Sequence, residues 1–362
     1  MPHYRGVSFV QGVVLVAGEG TRLRPLTFTI PKPLVPVLGK PLIEHSLLAL
    51  RDAGVRDVAL VVGYLGGLFR ERLGDGSHLG VSIRYVVQER RLGIAHAIYR
   101  AIEEGAVNKP FVVHLGDNFF EEGVERFTRE FWEGEYDVFI VLTRVKDPSR
   151  FGYVMFRDRR PWKLIEKPRN PPPGGYTLTG FYAFRDPNLV VRAFRDLKPS
   201  TRGEYEITDL IQWFIDKGYS IGYAITNGWW KDMGTPQDLL DLVYMLLDKI
   251  ETRIEGSVEG EVHGRVVVEK GAVVEGSIYG PAYIGRSTYI AKEAVIEHFV
   301  DVEQGSRIIG GSLSRCLVLE EVNLILGRAR LVDSIVGPKS WIELDEGVYS
   351  LVVGEKNLVR KI

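Results

Sequence analysis

The strongest constraint on the fold lies in the second half of the chain. Ile278, Ile284, Ile290, Ile296, Val302 and Ile308 each follow the last by six residues, and a second phase runs through Leu313, Leu319, Ile325 and Leu331. A period of six suits neither an α-helix nor the alternation of a plain strand. It marks a hexapeptide β-helix, in which each flat face of a triangular coil takes one hexad and stacked coils bury a column of aliphatics. Roughly five coils of about 18 residues fit between Arg253 and Val352. The plainer alternative is a set of irregular hairpins with chance spacing.

The chain ahead of that repeat reads differently. Short β-branched or aromatic runs, Val58–Val62, Ile83–Val87, Phe111–His114 and Val138–Leu142, alternate with amphipathic stretches such as Leu42–Ala53, Ala95–Glu104 and Glu122–Glu133. This alternation predicts an α/β layer with a mostly parallel sheet, whose ligands gather at the carboxyl ends of strands. The loops after Val16, Val87, Leu115 and Ile165 are therefore the first candidates for chemistry. A chain of 362 residues suits two domains, taken here as residues 1–252 and 253–362. Pro171–Gly175 reads as an exposed loop within the first of them.

The stretch VVLVAGEGTRLRPLTFTIPKPLVPVLGKPL, Val13–Leu42, is a buried strand feeding a glycine-bearing turn at Gly18 and Gly20. Glycines permit close backbone approach, and successive amide N–H groups in such a turn form an anion nest. The third glycine of a dinucleotide fingerprint and the Gly-Lys-Ser/Thr ending of a P-loop are both missing, which removes those two readings. Arg22 stands where a delocalised cation can brace nucleotide phosphates, although a surface arginine is the bland reading. Lys32, between two prolines, offers a point charge for negative charge growing on the α-phosphate. Gln88 ends a strand ahead of LGIAHA, residues 92–97, and is either a polar cap or an amide able to pair with the imide edge of thymine or uracil. Asp117, in HLGDN, and Asp232, in GWWKDMGTPQDLL, form an oxygen-only pair suited to Mg²⁺, while either alone could be a turn or cap residue. In Glu166-Lys167-Pro168 the carboxylate could take sugar hydroxyls and the ammonium a sugar phosphate; a solvated ion pair is the simpler alternative. His263 and His298 fall in the repeat region, where a histidine is either a structural residue or the general base of an acetyltransferase.

These segments, in this order, resemble the sugar-1-phosphate nucleotidyltransferase family, and within it the long form of the glucose-1-phosphate thymidylyltransferases. The resemblance covers nearly the whole chain and is strongest in GEGTRLRPLTFTIPKPL, LGDN, RGEYEITDLIQWFIDKGY and GWWKDMGTPQDLLDL. It implies a Rossmann-like α/β nucleotidyltransferase domain followed by a left-handed parallel β-helix, the handedness coming from the resemblance alone. It implies that Leu15 and Ala17 belong to the nucleotide site, that Gly18, Gly20, Thr21 and Arg22 hold the triphosphate, and that Gln88 and Gly93 bind the base. Gly152, Glu166, Lys167 and Gly180 would bind the sugar phosphate, Asp117 and Asp232 would bind Mg²⁺, and Arg22, Lys32 and Lys167 would act in catalysis. Ala17 stands where shorter relatives often carry glycine, and Phe151 where they carry tyrosine. The implied reaction joins dTTP and glucose 1-phosphate into dTDP-glucose and pyrophosphate. A uridylyltransferase using UTP, a bifunctional enzyme with acetyl transfer in the β-helix and a non-catalytic sugar-nucleotide sensor are the alternatives. Retention of Arg22, Lys32, Asp117, Lys167 and Asp232 argues against the sensor.

Composition bounds the partners. Lys+Arg 46 against Asp+Glu 47 gives a net charge of −1, which argues against nucleic acid or anionic membrane as partner. Cys316 is the single cysteine, so no intramolecular disulfide can form and a reducing cytoplasm is expected. No apolar run reaches about 18 residues, as a membrane span would need. Gln11 interrupts the apolar start MPHYRGVSFVQ just before the glycine turn, which speaks against a signal peptide. The flat coil faces suggest a homo-oligomer.

Overall fold

The computed structural model describes residues 10–63, 65–171 and 175–360. The apolar start at residues 1–9 and Pro172–Gly174 of the proline loop lie outside the described residues. The chain divides into two compact units: Met1–Gly18 with Ile43–Asp232, and Glu19–Leu42 with Met233–Ile362. The change from mixed α/β to short strands falls at Arg253, where the first strand of the coil begins. Glu19–Leu42 and the helix Pro236–Leu247 nevertheless count with the coil.

In the first unit, β1 (Gln11–Leu15), β2 (Asp57–Val62), β3 (Ser82–Val87) and β4 (Phe111–Leu115) run parallel in the order β3-β2-β1-β4. They are the β-branched runs of the sequence; β1, β2 and β4 are buried because helices cover a parallel sheet on both faces, while the edge strand β3 alternates exposed and buried. The chain leaves β1 on one side and returns to it on the other, so the carboxyl end of β1 is the topological switch point. β5 (Asn118–Phe120) follows β4 directly. The remaining strands are β6 (Val138–Arg144), β7 (Gly152–Arg157), β8 (Arg160–Glu166), β9 (Tyr176–Phe184), β10 (Ile221–Ile225) and β11 (Trp230–Asp232). β9 is antiparallel to β4, β6 and β7, while β10 is parallel to β6. β7 and β8 form a hairpin on Asp158 and Arg159, both left-handed at φ 49° and 61°, which matches the twist of the strands it joins. Helices α1 (Leu42–Asp52), α2 (Gly66–Leu73), α3 (Ile94–Glu103), α4 (Glu125–Glu133), α5 (Pro187–Asp196) and α6 (Ile207–Asp216) fill the connections. The apolar stripes of α3, α5 and α6 join the strands in one core that includes Ala95, Ile98, Val190, Leu210, Ile211 and Phe214.

The second unit contains a parallel β-helix. One face stacks Arg253, Val267, Tyr283, Asp301, Leu317, Ile335 and Val352 as successive register partners. The steps run from 14 to 18 residues, so the same span holds one coil more than a uniform 18 would give. All six members of the first hexad phase are buried in the coil core. The second phase departs from expectation: Leu313 and Leu331 are in that core, but Leu319 and Ile325 are not, and Val318, Leu324, Val336 and Ile342 point inward instead. The slip follows Gly310 and Gly311, both left-handed at φ 70° and 62°, which shorten the step between Ile308 and Leu313 to five residues. Cys316 sits in the core, where burial pushes its thiol up to about 11. The helix α7 (Pro236–Leu247) packs on this unit through Tyr244, whose hydroxyl donates to the Arg315 carbonyl at 3.1 Å and whose ring lies 5.5 Å from Phe299.

Candidate functional site

In the first unit Leu15, Ala17, Gly18, Gln88 and Asp117 lie at or just past the carboxyl ends of the parallel strands, whereas Gly152, Glu166, Gly180 and Asp232 lie on antiparallel strands. Val16 N–H donates to Val61 O at 2.9 Å, Gly116 N–H to Leu15 O at 3.0 Å and Gln88 N–H to Val62 O at 2.9 Å, so the strand ends stay in register past the ladder. A Cβ on Gly116 would stand 2.5 Å from Val16 Cγ1. Only glycine lets the segment carrying Asp117 cross so close to the end of β1. At Gly18 a Cβ would meet nothing within 4 Å, leaving the backbone after Ala17 open to a ligand.

The two carboxylates are brought together by strand pairing. β5 and β11 form a short antiparallel ladder in which Asp232 faces Asn118, the residue after Asp117. Asn118 Nδ2 donates to Asp117 Oδ1 at 2.8 Å, and Asn118 Oδ1 accepts from Trp230 Nε1 at 2.8 Å. A buried amide therefore fixes the Asp117 carboxylate. The buried Tyr182 phenol is pushed well above its usual range, by burial first and then by Glu166, Asp117 and Asp232. Three carboxylates thus bear on one spot, the sort of negative field that a hard cation relieves. Among the described residues no three His, Cys, Asp or Glu side chains form a metal cage. An oxygen-donor pair of this kind fits a hard divalent cation, which keeps several non-protein ligands.

Glu166 ends β8, and Lys167 follows it. Glu166 Oε1 accepts from Arg202 at 3.2 Å and Oε2 from the Thr208 hydroxyl at 3.2 Å. Burial, followed by the nearby Glu206, raises its carboxyl above the ordinary range, against the pull of Lys167 and Arg202. Lys167 is left-handed at φ 43°, and its N–H donates to Phe151 O at 3.1 Å. That conformation is costly for a residue with a Cβ and is typical of functional sites. Phe151 meets Trp230 edge-on at 5.2 Å, so the phenylalanine is a packing residue of the same corner. Gly152 is required by crowding, since a Cβ would come within 2.7 Å of Thr208 Cγ2.

Gln88 is buried, with Nε2 3.1 Å from Gly93 O and 2.9 Å from His96 Nδ1. Gly93, at φ 96° and ψ 175°, occupies a region open essentially to glycine alone, and a Cβ would strike Tyr205 O at 2.5 Å.

The other predicted residues belong to the second unit. Gly20, left-handed at φ 64°, starts the short turn Thr21–Leu23, and its carbonyl accepts from the Thr27 hydroxyl at 2.8 Å. Arg22 is exposed there. Lys32 is buried, and its ammonium donates to the Met233 carbonyl. His298 donates from Nδ1 to Gly280 O at 2.7 Å, which makes it a turn residue, and the exposed His263 stacks on Tyr279 at 5.2 Å. Residue-by-residue reading missed Asn118, Trp230, Arg202 and Thr208, although all four lie in the motifs LGDN, GWWKD and RGEYEITD.

A family model described as nucleotidyl transferase matches residues 11–249. The chain belongs to the nucleotidyl transferase family. This nucleotidyl transferase is 40% identical over 333 residues to a glucose-1-phosphate thymidylyltransferase of Streptomyces antibioticus, covering 91% of this chain and 92% of that one. A Streptomyces griseus protein of the same name is 35% identical, again over 91% and 92% of the two chains. A Bacillus anthracis protein solved in complex with a sucrose is 35% identical with a TM-score of 0.58, covering 64% of this chain and 93% of that one. Among the described residues no helix of this nucleotidyl transferase is long and apolar enough to cross a membrane.

Proposed function

We propose that the protein makes dTDP-glucose and pyrophosphate from dTTP and glucose 1-phosphate with Mg²⁺. The observation that carries the reading is the Asp117–Asp232 pair, fixed by the β5–β11 ladder, in a chain 40% identical to a glucose-1-phosphate thymidylyltransferase. In the reaction an oxygen of the sugar phosphate attacks the α-phosphorus of the nucleotide. A new P–O bond forms as the bond to the β-phosphate bridging oxygen breaks, and pyrophosphate leaves in line. The nucleophile is already an anion, so no general base is required. Burial holds the nearby His114 down at about 4, a neutral donor to the Leu115 carbonyl and not a proton acceptor for substrate.

The chain contributes binding and charge. Leu15 and Ala17 line the nucleotide site, Gly18, Gly20 and Thr21 offer backbone to the triphosphate, and Gln88 and Gly93 take the base. Arg22 and Lys32 stabilise phosphate charge, while Lys167 pairs with the sugar phosphate and Glu166 accepts from sugar hydroxyls. Gly152 allows the close approach described above, and Gly180 another beside Asn118. Mg²⁺ held by Asp117 and Asp232 would neutralise phosphate charge as the transition state forms. We further place the protein in the cytoplasm as a homo-oligomer, a reading supported by the single buried cysteine and the flat coil faces.

The test is pyrophosphate release from glucose 1-phosphate with dTTP, UTP, GTP, CTP and ATP, each with Mg²⁺ or chelator. Fast, cation-dependent release with dTTP is expected. Preference for UTP would keep the mechanism and change the nucleotide. Silence with every nucleotide and with other sugar 1-phosphates would overturn the reading.

A further inference from the structure

The Gln88 amide is locked by two acceptors. Gly93 O can only accept, so the amide atom 3.1 Å from it carries the hydrogens. The same NH₂ group lies 2.9 Å from His96 Nδ1, which must then be the lone-pair nitrogen of its ring, with the proton on Nε2. Both amide hydrogens are committed within the protein. Oε1 has no hydrogen-bond partner among the described residues and is the only group Gln88 can offer a ligand. His96 is well placed to keep this arrangement: Phe194 and Tyr205 lie 5.9 and 6.4 Å from its ring. Burial, and then the neighbouring Arg100, lower its tendency to take a proton.

We propose that His96 is a positioning residue for base selection. By taking one N–H of Gln88, it turns Oε1 toward the base and favours a ring that offers an N–H, as thymine and uracil do at N3. Cytosine presents a lone pair there and meets oxygen against nitrogen lone pair. The inference rests on Gln88 meeting the base, as proposed above. Without His96 one buried N–H of Gln88 is orphaned, and an orphaned donor gains by reaching an acceptor on the ligand. Loss of His96 should therefore relax selection and leave the chemistry in place.

The experiment compares kcat/KM for dTTP and dCTP in wild type, His96→Leu, His96→Gln and Gln88→Leu, with thermal melts as folding controls. His96→Leu is expected to lower the dTTP:dCTP ratio about tenfold, mostly through KM, the size of one neutral hydrogen bond. His96→Gln, which keeps an acceptor, should restore most of the ratio. An unchanged ratio in His96→Leu, with Gln88→Leu still raising the dTTP KM, would overturn the role of His96. An unchanged dTTP KM in Gln88→Leu would instead overturn the base-binding reading, and this inference with it. Should His96→Leu fail to fold, imidazole ¹⁵N shifts of the wild-type protein decide: a bare Nδ1 is expected, and a protonated Nδ1 overturns the proposal.

Discussion

At Gly180 the missing side chain carries the argument. A Cβ there would fall 2.6 Å from Asn118 Cγ and 2.7 Å from its Oδ1. Asn118 is the amide that links Trp230 to Asp117, so Gly180→Ala should displace the carboxylate without removing it. Because outer-shell partners of a metal ligand are commonly worth 10–100-fold, turnover is expected to fall by roughly that factor. The Mg²⁺ concentration needed for half-maximal rate should rise with it. Both are read from a cation titration of pyrophosphate release; a normal titration curve in a folded variant would show that Gly180 serves packing alone. Asp117→Ala should cost orders of magnitude more while leaving the melting temperature within a few degrees, since the residue is only half-buried. Asp117 and Asp232 could be proposed from the sequence because HLGDN and GWWKDMGTPQDLL supply an oxygen-only pair, although either alone could be a turn or cap residue. Gly180 was legible only through family resemblance, because its clash exists only once β9 runs antiparallel beside β4 and its register shifts between Leu178 and Tyr182.

Among elements, the turn at Leu38–Gly39 shows what a periodic pattern leaves out. Leu38 N–H donates to Asp301 Oδ2 at 2.8 Å and Gly39 N–H to Glu303 Oε1 at 2.9 Å. Both turn residues are left-handed, at φ 51° and 77°, so their amides face the carboxylates side by side. The hexad pattern assigns Val302 to the core, where it lies, and Asp301 stands one position out of that phase. It cannot say that the outer face is covered: Asp301 is 0% exposed, its second oxygen has no partner and its carboxyl is pushed up to about 8 by burial. The sign follows from linkage. Between the ordinary carboxyl value near 3.8 and about 8, the folded chain holds a proton that the unfolded chain has released. Stability contributed by this group is full below that lower value and is lost as pH rises through about 8. Melting temperature should therefore decline from pH 5 to about 8, and Asp301→Asn, which stays neutral, should flatten the decline. Equal slopes for both proteins would show that Asp301 is ionised in the fold.

For the molecule as a whole, the question is whether the α/β portion can dispense with the coil. Almost all of the Bacillus anthracis chain is matched by 64% of this one, so a relative of that length exists without an equivalent of the whole sequence. In this chain Glu19–Leu42, which carries Arg22 and Lys32, belongs with the coil in one compact unit. So does α7, whose Tyr244 bonds to Arg315 and Asp333 and which ends where Arg265 pairs with Asp248 at 2.7 Å. A chain cut after Ile250 would lose Asp301 and Glu303 from the turn and Tyr283 from beside Gly39, where a Cβ would sit 3.1 Å from the ring. It would also bare part of the buried side of α7, where Leu239, Leu240, Leu242, Val243 and Leu247 lie, at about 1.5–3 kcal/mol for each side chain fully exposed. Even one such loss lowers the melting temperature of a chain this size by several degrees, at about 2–4 °C per kcal/mol. The truncated protein should melt earlier and release pyrophosphate at least tenfold more slowly, because the segment bearing two of the three proposed catalytic cations has lost its anchor. Calorimetry and the same pyrophosphate assay measure both. Full activity in the truncated chain would mean that the signature segment finds its working conformation without the coil, leaving the β-helix to assembly alone.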